Sequence, residues 1–204
     1  MRPKMFDIDP ANASLTGFRS NATGVDFVLT ATSSGDGLAH QVSIRNDSST
    51  DHTGKTFVLL GTDPNGKAQT ESVTGPNNGA TVESTGYYLT LTSVTPSATI
   101  GADTMDIGWV DEVCSQTIML DRMAWVGASL AVDVTGTINY TVEETISNVQ
   151  FGETVDWNAI SAFSGKTADV TGTASVGMRA IRLLINSYTD TAEIQLTVAH
   201  PFTY

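Results

Sequence analysis

The chain has 204 residues, 40% of them hydrophobic, and a formal net charge of −12 from 22 acidic against 10 basic side chains. Apolar content at this level, with abundant Thr, Ser and Gly, is a globular β composition rather than a disordered one, and the length suffices for one large all-β domain or two small ones. A surface this acidic disfavours wrapping nucleic acid or docking on an anionic membrane, since like charge repels it from both, and it suits solubility at high local copy number.

The opening, Met1-Arg2-Pro3-Lys4-Met5-Phe6-Asp7, lacks the apolar centre of a secretory signal. No apolar run approaches the roughly 20 residues a membrane helix needs. The expectation is a protein made in a cytoplasm, without a membrane segment. Residues 1–14 read as a polar N-terminal arm. Pro3 and Pro10 resist helix and central-strand formation, so the arm is expected to be extended. Met5, Phe6 and Ile8 give it three apolar anchors, expected to order against a neighbouring subunit.

Strand-length runs follow at 25–32, 38–45, 55–62, 67–74, 80–84, 87–94 and 104–110, with Gly, Asn, Asp or Pro in nearly every gap. Val42 and Ile44 alternate with Gln41, Ser43 and Arg45, the period of a strand with one wet face. Phe57-Val58-Leu59-Leu60 is apolar without alternation and reads as a strand buried on both faces. Two turn signals, Asp63-Pro64-Asn65-Gly66 and Gly75-Pro76-Asn77-Asn78-Gly79, bracket the run 67–74. Proline presets φ at the second turn position, and Asn and Gly tolerate the positive φ that closes a hairpin.

Asp111-Glu112 interrupts the apolar pattern, which places a domain boundary there: a first domain over 15–112 and a second over 113–204. The second half restarts with runs at 116–120, 129–134, 137–143, 166–173, 179–186 and 192–199. Ile138, Tyr140 and Val142 make one apolar face, Ile181, Leu183 and Ile185 another, and Ile194, Leu196 and Val198 a third. Residues 156–163 could form one short helix at most. The fold class is therefore all-β, with two β-sandwich or jelly-roll-like domains behind a short polar arm.

The block from Gly61 to Gly79 resembles a segment that recurs in virion structural proteins of tailed bacteriophages. It continues through Ser84-Thr85-Gly86-Tyr87-Tyr88-Leu89-Thr90-Leu91-Thr92-Ser93-Val94-Thr95 and Ile100-Gly101-Ala102-Asp103. A second resemblance to phage particle proteins lies around Val134-Thr135-Gly136-Thr137-Ile138-Asn139-Tyr140-Thr141-Val142 and Met178-Arg179-Ala180-Ile181-Arg182-Leu183. The resemblance implies a particle component, assembled in the bacterial host cytoplasm, rather than an enzyme, and it transfers no catalytic residue. It implies partners among its own copies and other virion proteins, such as major capsid or neck and tail proteins. A capsid decoration protein leads, with a neck, collar or tail accessory component as the alternative.

Residue chemistry agrees with a protein that has no catalytic centre, cofactor or metal. His40, His52 and His200 are isolated from one another, and no nucleophile elbow is present. Asp63-Pro64-Asn65-Gly66 with Glu71 misses the spacing of a calcium loop. Asp7 with Asp9, and Asp103 with Asp106, are carboxylate pairs that read first as solvated acidic loops and second as calcium sites between subunits. Cys114 is the single cysteine, either a buried thiol or a disulfide to another subunit. Trp109, Trp125 and Trp157 fill cores or subunit contacts, or else form the stacking platform of a carbohydrate-binding module on a receptor-binding fibre. Tyr87, Tyr88 and Trp125 exceed what two small cores are expected to bury, so with Met5, Phe6 and Ile8 they are the candidate interface residues.

Overall fold

The computed structural model describes residues 3–120, 127–150 and 155–199. It is built almost wholly of antiparallel strands, and a turn of 3-10 helix at Ser161–Phe163 is the helical element among the described residues. The chain divides into two compact units, Ala11–Val113, and Met1–Pro10 together with Cys114–Tyr204. Strands are numbered in chain order.

In the Ala11–Val113 unit one sheet joins β8 (Met105–Cys114), β3 (Ala39–Asn46) and β6 (Thr81–Tyr88), with β2 (Ser14–Ala22) added along β8. The other sheet has the order β5-β4-β7, from β5 (Ala68–Thr74), β4 (Thr56–Thr62) and β7 (Thr90–Pro96). Val42, Ile44, Met105 and Ile107 of the first sheet share one buried cluster with Phe57, Leu59, Val73, Leu91 and Val94 of the second, which makes the unit a β-sandwich. Asp63 closes the β4–β5 hairpin as its sequence foretells. Its Oδ1 accepts the N–H groups of Asn65 and Lys67, and Gly66 supplies the positive φ of 77°.

Four sequence expectations need correction here. Residues 25–32 form no strand beyond an isolated Phe27–Val94 bridge, because the N–H groups of Thr30 and Ala31 turn back to the Phe18 carbonyl. The gap read between the runs 80–84 and 87–94 is not there: β6 runs on through it to Tyr88, and the Ser84 hydroxyl accepts the Val42 N–H where the β3–β6 register shifts. The strand through residues 57–60 is buried on one face only. Phe57 and Leu59 are at 0% exposure, while Leu60 is 42% exposed on the other side. Ser43, expected on a wet face, is buried as well.

In the other unit β1 (Lys4–Ile8) edges a sheet of order β1-β15-β10-β13, with β15 (Glu193–Ala199), β10 (Ser129–Thr135) and β13 (Val170–Thr173). The second layer pairs β11 (Ile138–Thr145) with β14 (Ala180–Tyr188), flanked by the two-residue strands β12 (Asn158–Ala159) and β9 (Ile118–Met119). All three apolar faces read from the sequence are buried: Ile138, Tyr140 and Val142; Ile181, Leu183 and Ile185; Ile194, Leu196 and Val198. The N-terminal arm is extended, but its partner differs from the one expected. Residues 4–8 pair in register with β15 of the same chain, Phe6 opposite Leu196 and Ile8 opposite Ile194, so the apolar anchors complete a sheet edge.

Candidate functional site

The predicted interface residues fall in different settings. On β1, Met5 points outward at 59% exposure, and Phe6 and Ile8 are half-buried beside β15. Tyr87 is half-buried and its hydroxyl donates to Glu112. Tyr88 is a core residue, 2% exposed, and so offers no surface; burial pushes its hydroxyl up to about 12, with Gln69 opposing and the Glu71 charge adding to the effect. Trp125 lies outside the described residues, as does His200.

Among the described residues, two histidines and several carboxylates are tied into the scaffold. His40 is buried, with Nε2 2.8 Å from Asp36 Oδ2 and Nδ1 3.3 Å from the Val110 carbonyl. Burial alone would raise the Asp36 carboxyl, but bonds from His40, the Ala11 N–H, the Ser34 hydroxyl and the Leu38 N–H outweigh it and hold the group well below the usual carboxylate range. His52, also buried, lies between Asp103 Oδ2 at 3.1 Å and the Lys55 ammonium at 3.0 Å. The ammonium donates to Nδ1, so Nε2 carries the proton toward Asp103. This chain clamps the loop before β4 to the loop before β8.

Asp106 accepts the Asn21 N–H, and Asp7 accepts from Gln195, so members of both carboxylate pairs have internal partners. An open groove of about 460 Å³ beside β1 and β15 is lined by Asp7, Asp9, Asp133 and Glu193, yet no group of three or more His, Cys, Asp or Glu among the described residues is arranged to hold a metal ion. Trp109 is buried against Phe18, ring centroids 4.9 Å apart, and its indole N–H donates to the Asn12 carbonyl. Trp157 lies under the Arg182 guanidinium, 4.4 Å from the ring centroid, and Arg182 also bonds Glu143 at 2.7 Å. Both indoles are engaged internally rather than set out as a sugar-stacking row. Cys114 is buried and its thiol points at the Ser115 carbonyl.

A different feature is a surface. The outer face of β5-β4-β7 is built in cross-strand rows: Thr74 and Thr56; Ser72, Val58 and Thr95; Thr70, Leu60 and Ser93; Ala68, Thr62 and Thr90. No charged side chain stands in any of these rows, in a chain of net charge −12. The charged residue within the three strands, Glu71, stands opposite Leu59 on the inner face, where its carboxylate accepts the N–H groups of Thr85 at 2.7 Å and Gly86 at 3.0 Å from β6. β-branched Thr and Val favour the pleated strand, and the Thr62 and Thr90 hydroxyls bond across the face at 2.7 Å. Sequence reasoning missed this face because it took residues 57–60 as doubly buried. The usable signal was the absence of charge at alternate positions: Thr56, Val58, Leu60 and Thr62, and Ala68, Thr70, Ser72 and Thr74.

No protein-family model matches the chain, and no curated protein matches it. Among solved structures it is similar to the major capsid protein P2 of bacteriophage PM2, at 11% identity over 98% of both chains with a TM-score of 0.21. It is also similar to the structure of infectious bursal disease virus, Gx strain, at 14% identity over 99% of this chain and 68% of that one, with a TM-score of 0.19. Both are viral structures, but likeness this slight bears on neither mechanism nor partners. Among the described residues no helix is long and apolar enough to cross a membrane.

Proposed function

We propose that this protein is a non-enzymatic structural component of a tailed-bacteriophage virion, present in many copies and acting as a decoration protein through protein–protein contacts. One observation carries the reading. The Gly61–Gly79 block and its continuation over Ser84–Thr95, the segments that resemble phage virion proteins, supply the β4–β5 turn, β5, the second half of β6 and nearly all of β7, and so two of the three strands of the uncharged sheet face. A face with an apolar centre and a hydroxyl-rich surround is suited to protein contact. A protein that binds the assembled lattice and not the unfolded subunit adds its binding free energy to the stability of the particle. Its acidic remainder keeps unassembled copies soluble in the host cytoplasm before they join the virion.

Quantitative mass spectrometry of purified particles tests this. A copy number that scales with the major capsid protein is the expected result. A number matching a single ring assigns the chain to the neck, collar or tail, and its absence from particles overturns the reading altogether.

A further inference from the structure

We propose that the uncharged outer face of β5-β4-β7 is a self-association surface, onto which the same face of a second copy of this chain packs sheet to sheet. The electrostatics select the partner. The Ala11–Val113 unit carries eleven acidic and four basic residues, so two copies repel each other over most of their surface. They are least opposed where neither presents charge. A basic partner would be recognised by a surface of acidic residues, which this face excludes. Neutrality on an otherwise acidic molecule fits a like-charged partner, and a second copy is one by definition.

The sheet's edges narrow the geometry to the face. On the β7 side, Phe27 bridges Val94 and the Leu91 N–H donates to the Thr32 carbonyl, so the loop before β3 occupies that edge. On the β5 side, Glu71 bonds β6 as described and Gln69 donates to the Tyr87 carbonyl. Strand addition is blocked at the β7 edge, and the Glu71 and Gln69 side chains hold β6 close against β5, whereas the face is open, with Leu60 42% exposed at its centre. Two such faces meet in an isologous contact about a two-fold axis, the sheets about 10 Å apart.

Its size sets its strength. Three strands at about 4.8 Å spacing and about 20 Å of length offer roughly 300 Å² per copy, well under the roughly 800 Å² per partner of a stable complex. The contact is therefore weak, dissociating in dilute solution and forming at high protein concentration. It is a property of the purified chain and stands or falls separately from the virion reading, which particle mass spectrometry tests.

Static light scattering and sedimentation equilibrium of the full chain, at low and high salt, give the test. Wild type should self-associate more strongly as salt screens the net charge. Leu60→Glu should weaken association by about tenfold or more. Val176→Glu, which adds the same charge at a 61% exposed position in the other unit, should leave it within about twofold. Thr70→Glu, in the same row as Leu60, repeats the measurement should Leu60→Glu disturb the fold by circular dichroism. The proposal is overturned by wild type that stays monomeric at the highest concentration in high salt. It is equally overturned if the face variants associate like wild type, or if Val176→Glu loses as much as they do.

Discussion

Glu71 on β5 accepts the backbone N–H of Gly86 on β6 at 3.0 Å, and through its other oxygen that of Thr85 at 2.7 Å, so one carboxylate joins the two sheets of the Ala11–Val113 unit. β6 is an edge strand of its sheet, and these are the N–H groups that would otherwise invite another strand. Charged hydrogen bonds to backbone contribute about 1.5–3 kcal/mol each. Glu71→Ala should therefore destabilise the protein by about 2–3 kcal/mol, and Glu71→Gln, which keeps one acceptor, by about half as much. Urea unfolding followed by far-UV circular dichroism measures both. Equal losses for the two variants would show that charge rather than bond geometry makes the join.

A second prediction concerns Asp36, whose folded-state carboxyl lies below the ordinary carboxylate range because four hydrogen bonds outweigh its burial. The group's contribution is complete above about pH 4, the unfolded value, and is lost as pH falls toward the lower folded-state value. Asp36→Asn should destabilise the chain by about 2–3 kcal/mol at neutral pH. The gap to wild type should narrow steadily below about pH 4. A gap that is constant across that window would assign the loss to packing around His40 instead.

Much of the architecture was legible in the sequence. Strict alternation at Ile138-Tyr140-Val142 and Ile194-Leu196-Val198 can satisfy only a half-buried strand, and those strands appear with those faces inward. β2 was not legible: its pairing with β8 is irregular, Asn21 has a positive φ of 50°, and an irregular strand has no clean period to read. The outer face of β4 was misread for a different reason. An apolar residue on a face that a partner would cover, such as Leu60, has the same sequence signature as one covered by its own sheet. The His40–Asp36 and His52–Asp103 pairs join residues 4 and 51 positions apart. The first spacing carries no meaning in a loop, and only the fold creates the second.

The third prediction follows from the arm. Because β1 completes the edge beside β15, deleting residues 1–8 removes the half-buried Phe6 and Ile8 and five residues of strand pairing. Half-burying two large apolar side chains is worth about 2 kcal/mol together. The melting temperature should fall, and the bared β15 edge should raise the tendency to aggregate. Differential scanning calorimetry with light scattering reads both. An unchanged melting temperature would mean that β1 is not held against its own chain.

The last prediction rests on a close approach. Gly17 on β2 lies against the six-membered ring of Trp109, so tightly that a Cβ built on the glycine would fall within the ring's own contact distance. The indole is fixed from two other directions, by the Phe18 ring at 4.9 Å and by its N–H bond to the Asn12 carbonyl at 2.9 Å. It cannot yield to an added methyl without giving up one of them. Gly17→Ala should then destabilise the unit by about 1–3 kcal/mol, the ordinary cost of overpacking a filled core, although alanine is otherwise a better strand residue than glycine. Because the strain falls on the indole, tryptophan fluorescence should report it: emission should shift to the red as Trp109 is displaced toward water. A companion substitution separates packing from backbone freedom. Trp109→Phe in the Gly17→Ala background removes the bulk that meets the new methyl, and should recover part of the loss if the clash is its source. If the double variant is as destabilised as the sum of the two single ones, the glycine is needed for its backbone and the ring contact is incidental.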